Sequence, residues 1–137
     1  MKNIIVLFLL FSTSLTFAQE ANIVIEIKNI KNNLGNIALA LYDDPENFTK
    51  KEIRATKVSA KKGKVTAQFT NLPSGIYAIA LFHDENNNDK MDFNAFGIPK
   101  EAYGFSNDAK GFMSAPIFKD ASFELTKNES KMIKISL

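Results

Sequence analysis

Ile23, Ile25 and Ile27 alternate with Val24, Glu26 and Lys28, and a side-chain period of two is the mark of an extended strand that buries one face. The same period returns at Ile37, Leu39 and Leu41, at Val65, Ala67 and Phe69, and at Ile133, Ile135 and Leu137. Helical neighbours recur at three and four residues instead, so a chain written this way cannot bury its apolar set as a helix. Strands are expected over residues 23–28, 37–42, 56–60, 64–70, 76–83, 121–126 and 131–137. In the fifth of these, Ile76, Ala78, Ala80 and Phe82 take one face and Tyr77, Ile79 and Leu81 the other. Apolar on both sides, it reads as the central strand. Asn32-Asn33-Leu34-Gly35, Lys61-Lys62-Gly63 and Asn71-Leu72-Pro73-Ser74-Gly75 supply turn residues that accept positive φ. The first two strands, and the third with the fourth, are expected to pair as hairpins. Residues 43–48 break the pattern, and Pro45 suits either the first turn of a short helix or coil. About seven short strands with almost no helix signal imply an all-β fold, an antiparallel β-sandwich.

The N-terminus bears on the compartment. Lys2 precedes an apolar run from residue 4 to 11, and Thr16-Phe17-Ala18 places small residues around a cleavage point, the layout of a secretory signal peptide. Ser12, Thr13 and Ser14 interrupt the run, whereas a bilayer span needs about 20 apolar residues. Residues 1–18 are therefore expected to be a signal and residues 19–137 a single exported domain, periplasmic or extracellular, with no stable membrane insertion after cleavage. A domain of this size buries a core without disulfides, so the absence of cysteine is compatible with export. With Lys2 removed, the 17 basic residues fall to 16 against 15 acidic, which offers no field for nucleic acid. Lys50, Lys51, Arg54, Lys57, Lys61, Lys62 and Lys64 read as a charged rim that discourages strand pairing at an edge.

Roughly 25 residues after the central strand lack any period, long for an ordered connection. They carry Phe93, Phe96, Ile98, Tyr103, Phe105, Phe112 and Met113, too apolar for a solvated linker. One ordered loop folded over an end of the sheet is expected, with Phe93 and Phe96 as its plug. The phrase Phe69-Thr70-Asn71-Leu72-Pro73-Ser74-Gly75-Ile76-Tyr77-Ala78-Ile79 resembles the strand–turn–strand signature of prealbumin-like and carboxypeptidase-regulatory-like domains, which implies a Greek-key sandwich. A longer stretch includes Phe82-His83-Asp84-Glu85-Asn86, Gly97-Ile98-Pro99-Lys100-Glu101-Ala102-Tyr103-Gly104-Phe105-Ser106-Asn107 and Pro116-Ile117-Phe118-Lys119-Asp120-Ala121-Ser122-Phe123. It is similar to the exported bacterial family known as domain of unknown function 2141. That resemblance implies location and fold, and no activity.

Asp84-Glu85-Asn86-Asn87-Asn88-Asp89-Lys90-Met91-Asp92 follows the central strand and spaces oxygen donors as a calcium-wrapping loop does. Set against the EF-hand pattern, Asp84, Asn86 and Asn88 occupy positions one, three and five, Lys90 offers its backbone carbonyl, and Asp92 follows. Ala95 stands where the bidentate glutamate belongs, and Asp89 where glycine does. Two charged ligands imply weak binding, about 10⁻⁴ to 10⁻³ M as in extracellular modules. The competing reading is an Asx-rich turn that satisfies its own backbone. Glu101 or Asp108, returning from the long loop, would complete a calcium shell.

Catalysis finds little support. One histidine and no cysteine remove most zinc sites and thiol nucleophiles. His83 with Ser74 or Ser106 lacks a nucleophile-elbow motif and is expected to sit on the surface at a strand end. Glu101 beside Tyr103 lacks an identifiable second carboxylate for glycoside cleavage. The chain is thus expected to be non-catalytic, a calcium-holding binding or accessory module, monomeric or weakly oligomeric. Its expected partner is a glycan or envelope protein met through Glu101, Tyr103 and Phe105. A metal-free binding module is the alternative, and a hydrolase stands third.

Overall fold

The computed structural model describes residues 20–137; the expected signal, residues 1–18, lies outside them. Eight strands form two sheets: β1 (Ala21–Ile30), β2 (Asn36–Tyr42), β3 (Arg54–Ser59), β4 (Gly63–Leu72), β5 (Gly75–Asp84), β6 (Tyr103–Phe105), β7 (Phe123–Leu125) and β8 (Ser130–Ser136). One sheet runs β4-β1-β8; the other runs β3-β2-β5-β6, with β7 also on β5. The β-sandwich is as expected, and all seven expected strands are present. The short β6 adds an eighth, inside the segment that has no period. Residues 45–50 form turns and no helix. Among the described residues the one α-helix, α1 (Phe118–Ala121), covers a single turn.

The expected hairpins, β1 with β2 and β3 with β4, do not form. β1 pairs with β4 and with β8, and β2 pairs with β3 and β5. The links from β1 to β2, β3 to β4, β4 to β5 and β7 to β8 therefore cross from one sheet to the other. Both alternatives bury the same alternate residues against the same core, so the hydrophobic period does not distinguish a hairpin from an arch. The pairing of β1 with β8 is parallel, one departure from an otherwise antiparallel fold.

The core lies between the sheets. Ile23, Ile25 and Ile27 face Phe69, Ala67 and Val65 on one side and Lys131, Ile133 and Ile135 in register on the other. All three isoleucines are fully buried. From the opposite sheet come Ile37, Leu39 and Leu41, paired with His83, Leu81 and Ile79. Each such side chain contributes about 1.5–3 kcal/mol by leaving water.

The second face of β5 is covered only in part: Ala78 is buried and Ala80 and Phe82 are half-buried, while Ile76 stays exposed. Ala78 packs with Tyr42, Phe48, Phe105 and Ala121 in a smaller cluster outside the sandwich. Phe48 centres it, meeting Tyr42, Phe118 and Phe105 edge-on at 5.3, 5.7 and 6.0 Å. Burial pushes the Tyr42 hydroxyl above its usual range. The long segment thus covers an outer sheet face, and its cover is Phe105 and Phe118, not the expected plug. Phe93 and Phe96 point outward, 55% and 88% exposed, because the chain around them folds into a separate small hairpin.

Candidate functional site

β5 ends in a buried carboxylate. Continuing its alternation past Ile79 and Leu81 carries His83 to the inner face opposite Ile37, and Asp84 then lies opposite Asn36 at the end of β2. Asp84 is fully buried beneath the turn that joins β1 to β2. Gly35 in that turn has φ 64°, and a Cβ there would sit 1.9 Å from the Asp84 carbonyl oxygen. Only glycine permits both the conformation and the approach.

Around Asp84 the chain curls into the Asp/Asn loop. Its Oδ1 accepts the Asn88 N–H at 3.1 Å and its Oδ2 the Asp89 N–H at 2.9 Å. Asn87 and Asp89 take φ of 55° and 62°, the left-handed region that Asn and Asp enter more readily than other side chains. Asp89 therefore adopts the shape for which an EF-hand uses glycine. Asn86 Oδ1 accepts the Asn88 N–H at 3.2 Å, and Asn88 Oδ1 accepts the Lys90 N–H at 3.0 Å. The amides of Asn86 and Asn88 then donate to the two oxygens of Asp92, at 2.7 and 2.9 Å. Asp84, Asn86, Asn88 and Asp92 are brought together as the spacing predicts; the side chain of Lys90 is exposed.

Glu101 returns to this loop from beyond a small hairpin. The Lys100 N–H donates to the Asp92 carbonyl at 2.8 Å, Phe93 bridges to Pro99, and Asn94 donates to Ile98 at 2.9 Å. Gly97, at φ 75°, closes the turn. Glu101, 8% exposed, then accepts the Glu85 N–H at 3.3 Å and the Asp92 N–H at 3.1 Å. Its carboxylate thus clasps the first and last parts of the loop. Asp108, the other residue considered for this place, instead accepts the Ser136 N–H at 2.9 Å.

Several braces carry no sequence signal, since they join residues far apart in the chain. Asn36 donates to Asn87 at 2.5 Å, and Lys57 pairs with Asp89. His83 is 1% exposed, against the surface position expected. Its Nε2 lies 2.6 Å from the Leu34 carbonyl and its Nδ1 3.9 Å from Glu85, so it ties the same turn to the loop. Ser106, one of the serines considered for it, is buried and engaged elsewhere, taking the Ile79 N–H at 2.9 Å and donating to the Ala121 carbonyl at 2.5 Å. Of the three expected contact residues, Phe105 is a core residue at 8% exposure and Glu101 turns inward, leaving Tyr103 at the surface, 48% exposed. Phe105 is drawn in because β6 pairs it with Ala80 on the covered face of β5.

The donor set is oxygen-rich and mixed. Among the described residues no three His, Asp or Glu side chains gather as metal ligands, so a cation here would draw on amide and main-chain oxygens as well as carboxylates. Asn86 and Asn88 meet that need, because half a turn of either amide exchanges its nitrogen for its oxygen. Hard oxygen donors of this kind suit a hard cation such as calcium, magnesium or manganese better than a soft, thiolate-seeking metal.

A family model described as "Uncharacterized protein conserved in bacteria (DUF2141)" matches residues 25–134, a span that holds the loop and Glu101. No curated protein and no solved structure matches the chain.

Proposed function

The chain belongs to this bacterial family, and from that premise we propose that it is an exported, non-catalytic module whose Asp/Asn loop holds a structural calcium ion. It serves the cell envelope or the exterior as a binding or accessory domain. Export rests on the signal-like residues 1–18, and the prealbumin-like character of the sandwich on the phrase spanning residues 69–79. Asp84, Asn86, Asn88, the Lys90 carbonyl and Asp92 would hold the ion, with Glu101 at its border. Calcium would neutralise carboxylates that the fold crowds together and cross-link the loop to the returning chain.

The observation that carries this reading is the return of Glu101. An Asx turn needs only Asp84 and its neighbours. Here a second inward-turned carboxylate arrives from a distant segment and binds both ends of the loop.

A thermal melt of residues 19–137 in calcium, magnesium and chelator tests it, since a ligand of the folded state alone raises stability by mass action. At a hundredfold excess over Kd, calcium is expected to add about 2.7 kcal/mol. Asn88→Ala, at an exposed position, should leave the fold intact and remove the increment. Equal melting in calcium and chelator sinks the proposal.

A further inference from the structure

A concavity of about 600 Å³ opens beside β6 and shares no lining residue with the Asp/Asn loop. Tyr103, Asn29, Asp108, Lys110, Ser114 and Ser136 contribute to its walls. Part of this wall is fixed by the fold itself. Asn107, at φ 61°, donates its amide to the carbonyls of Asp120 and Ser122 at 3.1 and 2.8 Å, and Asp108 anchors to β8 through the Ser136 N–H. A Cβ at Gly104 would lie 2.8 Å from both Ile135 and the Ser136 carbonyl, so β6 lies hard against β8. The Tyr103 ring is steadied edge-on by Phe105, 6.0 Å away at 75°, and remains half open to solvent.

We propose that this cleft binds a ring of a neutral glycan, with Tyr103 as the stacking face. A pyranose is apolar across its C–H face and ringed by hydroxyls that both donate and accept. The walls match: an aromatic face, Asp108 as acceptor, Lys110 as donor, and Asn29 and Ser114 as either. The charges of Asp108 and Lys110 oppose one another, so the walls do not favour a charged ligand of either sign. A wholly apolar ligand would leave these polar groups unmet. The volume falls in the range of about 300–1,000 Å³ usual for small-ligand sites.

The test is an array of neutral oligosaccharides probed with residues 19–137, in calcium and in chelator, so that the cleft and the cation loop are judged separately. Wild type is expected to retain one class of glycan, Tyr103→Phe to keep it, and Tyr103→Ala to weaken it about tenfold with an unchanged melt. Phe96→Ala, altering an aromatic that is 88% exposed outside the cleft, should bind as wild type does. The proposal is overturned if no neutral glycan is retained, if Tyr103→Ala binds undiminished, or if Phe96→Ala weakens binding equally.

Discussion

Gly35 and Asp84 meet main chain to main chain, and their contact decides how the turn after β1 supports the loop after β5. Gly35→Ala must both hold a left-handed backbone, at about 1–2 kcal/mol, and move a carbonyl that its Cβ would otherwise strike. Its urea midpoint is expected to fall by at least the equivalent of that strain, and a midpoint equal to wild type would refute the close approach. Neither demand is visible in the sequence, where Asn32-Asn33-Leu34-Gly35 reads only as a turn. The spacing of Asp84, Asn86, Asn88 and Asp92 was legible, because adjacent residues in a tight loop meet by local geometry. Glu101 was legible only as a possible return, and His83 was misplaced although its own strand's alternation carries it inward.

At the scale of elements, strand positions followed from the period of two, and pairing partners did not. β6 was missed because its three residues are too few to show an alternation, and Gly104 interrupts even those. On the outer face of the β4-β1-β8 sheet, Glu26 lies 3.2 Å from Lys64 and 3.4 Å from Lys28. The hydrogen bond from Lys64 is the main reason its carboxyl titrates below the usual range. A carboxylate with a depressed folded pKa contributes stability above its unfolded pKa and loses it as pH falls through the folded one. Lys64→Ala should therefore be slightly less stable than wild type at neutral pH, and the gap should close below the carboxylate range. Glu26 is exposed to screening, so the gap is small; denaturant melts across acid pH would show it, and a gap that persists at low pH would assign it to packing.

For the molecule as a whole, the two apolar clusters share the strands β2 and β5, and neither can be lost alone without stripping a face of that sheet. Phe48→Ala, removing a ring that is 6% exposed, should cost about 3–5 kcal/mol and lower one transition without splitting it. A second calorimetric peak would show that the outer cluster melts independently. The arches between sheets also determine when the fold becomes possible. β8 lies directly against β1, the two being the outermost described strands in chain order, while β1 and its neighbour β2 never pair. Five of the six strand pairings are complete without β8, and β1 keeps one unpaired edge until residues 130–136 dock on it. Assembly must close long loops before it is rewarded, which places it among the slow, topologically demanding β-folds. For such a chain β8 acts as the latch, closing an edge of β1 that the earlier strands leave open.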